Sequence, residues 1–154
     1  MALDAIVAFV QQNPILVLMV LYIFYRMFQS RQPWPDYGGN ITAVKSLEDW
    51  RSLLNGSSLT LVDCYATWCP PCKAAAPVFA RMSEEYPDVT FAKVNVDDAA
   101  DVAKQLGISA MPTFKLFRGS EELGTQRGWS EGQVREMLDK AGAVKGAQAG
   151  AKAE

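Results

Sequence analysis

Apolar and polar positions change rhythm several times along the chain. Ala5–Val10 and Ile15–Tyr25 are apolar throughout, parted only by Gln11, Gln12, Asn13 and Pro14. With their flanks they approach the roughly 20 residues of helix that match a bilayer's thickness. From Gln32 to Asn40 the sequence QPWPDYGGN holds two prolines, two glycines and no periodic pattern, which reads as a linker. After it, runs of period two and period 3.6 alternate. Ile41–Val44 predicts a short strand. Ser46 opens a helix in which Leu47, Trp50, Leu53 and Leu54 recur at helical spacing, with Ser46 and Asp49 placed as a capping box.

Leu59–Tyr65 is a strand whose apolar run is too continuous for a sheet wetted on one face. Pro70–Tyr86 reads as helix and Thr90–Val96 as strand, and Asp97 or Asp98 is expected to cap a short helix running to about Leu106. Beyond Pro112 come two strands, Thr113–Phe117 and Leu123–Gly128, joined at Gly119-Ser120. Ser130 then caps a last helix with Val134, Met137 and Leu138 on one face. This βαβαβαββα order predicts an α/β domain with a mixed sheet covered by helices on both sides. The expected organisation is an anchor over residues 1–31, a linker over 32–40, a domain over 41–141, and a disordered tail over 142–154, where GAVKGAQAGAKAE lacks the bulk for a core.

The apolar N-terminus reads as a membrane anchor. A signal peptide opens with positive charge and closes on small residues, whereas here Asp4 precedes the run and Tyr25, Arg26 and Met27 follow it; a transit peptide would be arginine-rich. A span that began only at Ile15 would be short, leaving a re-entrant or interfacial helix as the alternative. Arg26 and Arg31 follow the run and no Lys or Arg precedes it, so the domain is expected to face the cytosol. A net charge of −2 gives no basic stripe for phosphates, which argues against nucleic acid as a partner.

The chain has three cysteines and no histidine. Cys64, Cys69 and Cys72 open the spacing of a plant-type iron–sulfur site but lack its fourth cysteine, and zinc would need a carboxylate or a second chain to complete its shell, so no metal is expected. Cys64 falls inside a strand next to Asp63, pointing to the opposite face, and reads as a small buried hydrophobe. Cys69 and Cys72 instead lie where a strand gives way to a helix. There backbone N–H groups and the positive end of the helix dipole favour a thiolate, the nucleophilic form of the side chain. Pro70 and Pro71 suit a first helical turn, yet they remove two N–H groups that could have faced the sulfur. The expected thiolate is less stabilised than with polar spacers, which implies a reducing poise. A purely structural disulfide would close so short a loop that its entropic gain is slight.

With these positions in view, the stretch from Ile41 to about Ala141 resembles the thioredoxin family. LVDCYATWCPPCKAAAP is similar to its strand-to-helix active-site segment, AKVNVD to its central strand, GISAMPTF to its cis-proline loop, and RGWSEGQ to its closing glycine turn. Pro70 stands where the family usually has glycine, and Cys64 where it usually has an aromatic residue. The resemblance implies the thioredoxin fold and thiol-disulfide exchange. In that exchange Cys69 attacks a client disulfide, Cys72 resolves the mixed disulfide, Asp63 takes the Cys72 proton, and Lys93 lies beside Asp63. Trp68, Met111, Pro112 (as a cis proline), Gly128 and Trp129 would contact the client. Pro77 would kink the active-site helix. A plain surface charge stays open for Lys93, and ordinary packing for Trp68. The implied partners are disulfide-containing client proteins and a thioredoxin reductase, with no cofactor. Two other functions stay open: a non-catalytic adaptor holding clients at a membrane, and an oxidase or isomerase in an oxidising compartment.

Overall fold

A computed structural model describes residues 11–30, 34–56 and 58–146 of the 154-residue chain. It divides into two compact units at Trp34/Pro35. The first contains helix α1, Pro14–Ser30. Its apolar residues point in all directions, with Ile15, Leu18, Leu21, Tyr22, Phe24 and Tyr25 all exposed. A helix apolar all round needs an apolar environment. At 17 residues α1 rises about 25 Å, and among the described residues no helix is long and apolar enough to cross a membrane. The apolar run Ala5–Val10 and the flanking Arg31 lie outside the described residues.

The second unit carries β1 (Ile41–Val44), α2 (Leu47–Leu53), β2 (Leu59–Tyr65), α3 (Pro70–Glu85), β3 (Val89–Asn95), α4 (Ala100–Gln105), β4 (Thr113–Arg118), β5 (Glu121–Arg127) and α5 (Glu131–Lys140). The five strands form one mixed sheet in the order β1-β3-β2-β4-β5. The pairs β1/β3 and β3/β2 are parallel, and β2/β4 and β4/β5 antiparallel. Every residue of β2 is buried, Thr60 and Asp63 included, as expected of a largely apolar strand covered on both faces.

Alternation along β2 divides the interior in two. Leu59 and Leu61 pack with Phe79 and Met82 of α3, Phe114 of β4, and Val134 and Leu138 of α5. Val62 and Cys64 pack on the other face with Trp50 of α2, Val94, and Val102 of α4. By period two Asp63 belongs to the first face, the one α3 covers.

Local signals set the helix ends. Ser46 Oγ accepts from the Asp49 N–H at 3.1 Å and Asp49 Oδ2 accepts from the Ser46 N–H at 3.0 Å, completing the capping box. Ser130 caps α5, whose Arg135 donates to Glu85 Oε2 at 2.6 Å and so pins α5 to the end of α3. Pro77 lies inside α3 on its exposed side. The Lys73 carbonyl, which loses its helical donor there, can turn to water.

Three expectations are corrected. Neither Asp97 nor Asp98 caps α4; the N-cap is Ala99, with no side-chain bond, because both carboxylates accept from other side chains. Strand β5 begins at Glu121 rather than Leu123, across an irregularity at Leu116/Phe117 that lets two glutamates continue an edge strand. Residues 142–146 are laid down rather than free: the Val144 N–H donates to Asp88 Oδ2 and the Gly146 N–H to the Glu85 carbonyl, each at 2.9 Å. Residues 147–154 lie outside the described residues.

Candidate active site

Strand β2 runs directly into the dithiol segment. The Cys69 N–H donates to the Ala66 carbonyl at 3.2 Å, turning the chain so that Cys69, in extended backbone, becomes the N-cap of α3. Pro70 and Pro71 fill the first two helical positions and carry no N–H. The first donor left at the helix mouth is the Cys72 N–H, and it points at Cys69 Sγ from 3.3 Å. The sequence reading of the prolines is visible here as geometry: one backbone donor serves the sulfur where a proline-free turn could offer more. Cys69 and Cys72 are joined in a disulfide, with Cα atoms 5.3 Å apart. Cys69 keeps 3% of its surface exposed and Cys72 none, so an incoming sulfur meets Cys69 first.

Asp63 sits on the α3 face of β2 and is 3% exposed. Its Oδ1 has no hydrogen-bond partner. Burial raises its pKa to about 7, and the Lys93 ammonium pulls in the opposite direction. Lys93 lies directly opposite Asp63 in the β2/β3 register and is half-buried, which favours the partner reading over a plain surface charge. Cys64 takes the other face. It is fully buried and unpaired, and its thiol is pushed well above the ordinary range, first by burial and then by the Asp63 carboxylate.

Register brings the remaining predicted residues to the same end of the sheet. Cys64 pairs with Thr113, and Thr113 with Arg127, so Pro112 and Gly128 flank the end of β2. The Met111–Pro112 peptide is cis. Pro112 is buried, Met111 is half-buried, and the Gly128 N–H donates to the Pro112 carbonyl at 2.8 Å. Gly128 has φ +78°, a left-handed conformation in which a side chain would be strained, so glycine is needed there. Trp129 packs its ring on Phe114 at 5.5 Å and joins the interior beneath the loop, so most of its surface serves packing.

Trp68 is different: it stays 51% exposed, and its Nε1 donates to Asp97 Oδ2 at 2.9 Å. Sequence reasoning missed that partner. The only signal was an acid in the turn after β3, which equally suited a helix cap. Among the described residues no group of three His, Cys, Asp or Glu side chains could hold a metal ion.

A family model described as Thioredoxin matches residues 41–140. The chain is 39% identical over 102 residues to the thioredoxin of Ophiophagus hannah, covering 65% of this chain and 97% of that one. It is 37% identical over 101 residues to Thioredoxin-like protein 1 of Schizosaccharomyces pombe, covering 64% of this chain but only 35% of that longer protein. Among solved structures, a crystal structure of Schistosoma mansoni thioredoxin superposes with a TM-score of 0.62 at 41% identity, covering 66% of this chain and 94% of that one.

Proposed function

The chain belongs to the thioredoxin family, and from that premise we propose that its dithiol reduces protein disulfides from a membrane surface. The observation that carries the reading is Cys69 capping α3 with the Cys72 N–H on its sulfur, Cys69 the more accessible of the two cysteines and Asp63 buried on the same face of the sheet. In the reduced protein the Cys69 thiolate attacks one sulfur of a client disulfide. A Cys69–client bond forms, the client S–S bond breaks, and the second client sulfur leaves as thiolate and takes a proton from solvent. Cys72 passes its proton to the Asp63 carboxylate and attacks Cys69 Sγ. That closes the Cys69–Cys72 disulfide and releases the other client sulfur, completing a two-electron reduction of the client. Asp63, with a pKa near 7, can accept a proton at neutral pH and release it again.

Trp68, Met111, Pro112 and Gly128 form the docking rim, where a client adds as an extended strand beside Met111. Trp129 supports that rim from below. A thioredoxin reductase returns the pair to the dithiol. The reducing direction is supported by the proline pair, which leaves one backbone donor for the sulfur of Cys69. A reduction potential near −270 mV supports it, and one near −180 mV or above makes the protein an oxidant or isomerase.

Residues 1–31 act as the membrane anchor. The support is an α1 with exposed apolar residues all round it, preceded in sequence by a second apolar run. The domain faces the cytosol in this reading, supported by Arg26 and Arg31 after the apolar run and the lack of Lys or Arg before it. Retention of the full chain in membranes washed with alkaline carbonate is the expected outcome, and its release would remove the spanning anchor.

A further inference from the structure

The turn after β3 carries a chain of side-chain contacts that ends at the rim of the dithiol. Asn95 is the last residue of β3 and pairs in register with Tyr65, the last of β2. Its Nδ2 donates to Asp98 Oδ2 at 2.6 Å, and its Oδ1 accepts from the Asp97 N–H at 3.2 Å. Its backbone carbonyl accepts from the Ala99 N–H at 2.9 Å. An asparagine amide offers a donor and an acceptor on one planar group, whereas an ionised aspartate offers acceptors alone. The turn so held presents Asp97 Oδ2 to Trp68 Nε1 at 2.9 Å, and Trp68 immediately precedes Cys69.

We propose that Asn95 is a positioning residue for client docking: by shaping the turn from Asp97 to Ala99 it lets Asp97 hold the Trp68 indole beside Cys69. The inference rests on Trp68 serving as a contact surface for clients. An exposed indole without a fixed partner samples several rotamers, and ordering it on binding weakens affinity rather than slowing the exchange that follows. The signature is therefore a change in KM with little change in kcat.

The test uses the full chain reducing insulin disulfides, with a small aromatic disulfide, which needs no docking rim, as the comparison substrate. Asn95→Asp replaces the donor with a second carboxylate facing Asp98. KM for insulin is expected to rise about three- to tenfold, the effect of a lost hydrogen bond. Turnover and the small-disulfide rate should change by less than about twofold. Asn95→Asp combined with Asp98→Asn exchanges the two partners and should restore KM, together with the indole N–H resonance of Trp68 in a ¹⁵N spectrum. Asp98→Ala, at an exposed position, probes the same link should Asn95→Asp fail to fold, with an expected KM increase of about two- to threefold.

Trp68→Ala separates the two layers. If it raises KM while Asn95→Asp and Asp98→Ala do not, or if the exchanged pair fails to restore KM, the role of Asn95 is overturned. If Trp68→Ala itself leaves KM unchanged, the docking role of Trp68 falls and this inference falls with it.

Discussion

Cys64 and Cys69 are the same side chain five residues apart, and their surroundings give them opposite chemistry. Cys64 lies within β2, packed among Val62, Val94 and Val102, with burial and the Asp63 carboxylate both disfavouring its thiolate. Cys69 lies just past the end of the same strand, at the mouth of α3, with a backbone N–H on its sulfur and 3% of its surface exposed where Cys64 has none. Residue type explains nothing of that difference. Backbone direction explains it: a strand interior surrounds a thiol with side chains, and the N-terminus of α3 sets one against a backbone N–H and the positive end of the helix dipole.

The largest effect that could break the comparison comes from serine at each active-site position. Cys69→Ser should reduce insulin-disulfide reduction to the uncatalysed background. Cys72→Ser should leave the first attack intact and accumulate the mixed disulfide, visible as a client adduct on non-reducing gels. Full activity in the Cys69 variant would place the chemistry elsewhere.

Asp63 comes next. As the proton acceptor for Cys72 it should give turnover that rises with pH and levels off above about 7. Asp63→Asn should remove that rise and slow turnover by about a hundredfold, the scale of one general base. The same group governs stability with a defined sign. Its pKa is raised on folding from 3.8 to about 7, so between those values the folded state binds more protons than the unfolded one. The wild type therefore loses stability as pH rises from about 4 to 7 and loses no more above that. Asp63→Asn should be the more stable protein at pH 8, by up to roughly 4 kcal/mol, and the gap should close toward pH 4. Parallel denaturation curves for the two proteins at every pH would remove the buried carboxylate from the scheme.

Smallest is the effect at Cys64. Cys64→Ala should keep turnover within about twofold and lose roughly 1–2 kcal/mol in chemical denaturation. Cys64→Ser should lose more, because its hydroxyl would enter an apolar cluster. A large loss of activity with either change would mean that Cys64 takes part in the exchange.

Much of the domain was legible because its signals are local or periodic. The largely apolar run of β2 implied helices on both faces, and Ser46 with Asp49 implied a capping box that is present. Cys69 and Cys72 were found from two positions and a strand-to-helix junction. What was misread depended on partners distant in sequence. Asp97 looked like a helix cap, yet its carboxylate is held by an indole 29 residues earlier in the chain. The turn at residues 142–146 has little apolar bulk, and what holds it down are the Asp88 carboxylate and the Glu85 carbonyl, more than 50 residues away. The β5 start was missed because two glutamates carry no strand signal, and it takes Lys115 on β4 to pair with Glu122.

Competitive alkylation of the reduced protein at pH 7, with each cysteine followed by peptide mass, tests the contrast most directly. Cys69 labelling at least about a hundredfold faster than Cys64 is the expected result, with Cys72 between them or slower. Equal rates at Cys64 and Cys69 would mean that the mouth of α3 confers no reactivity on its sulfur.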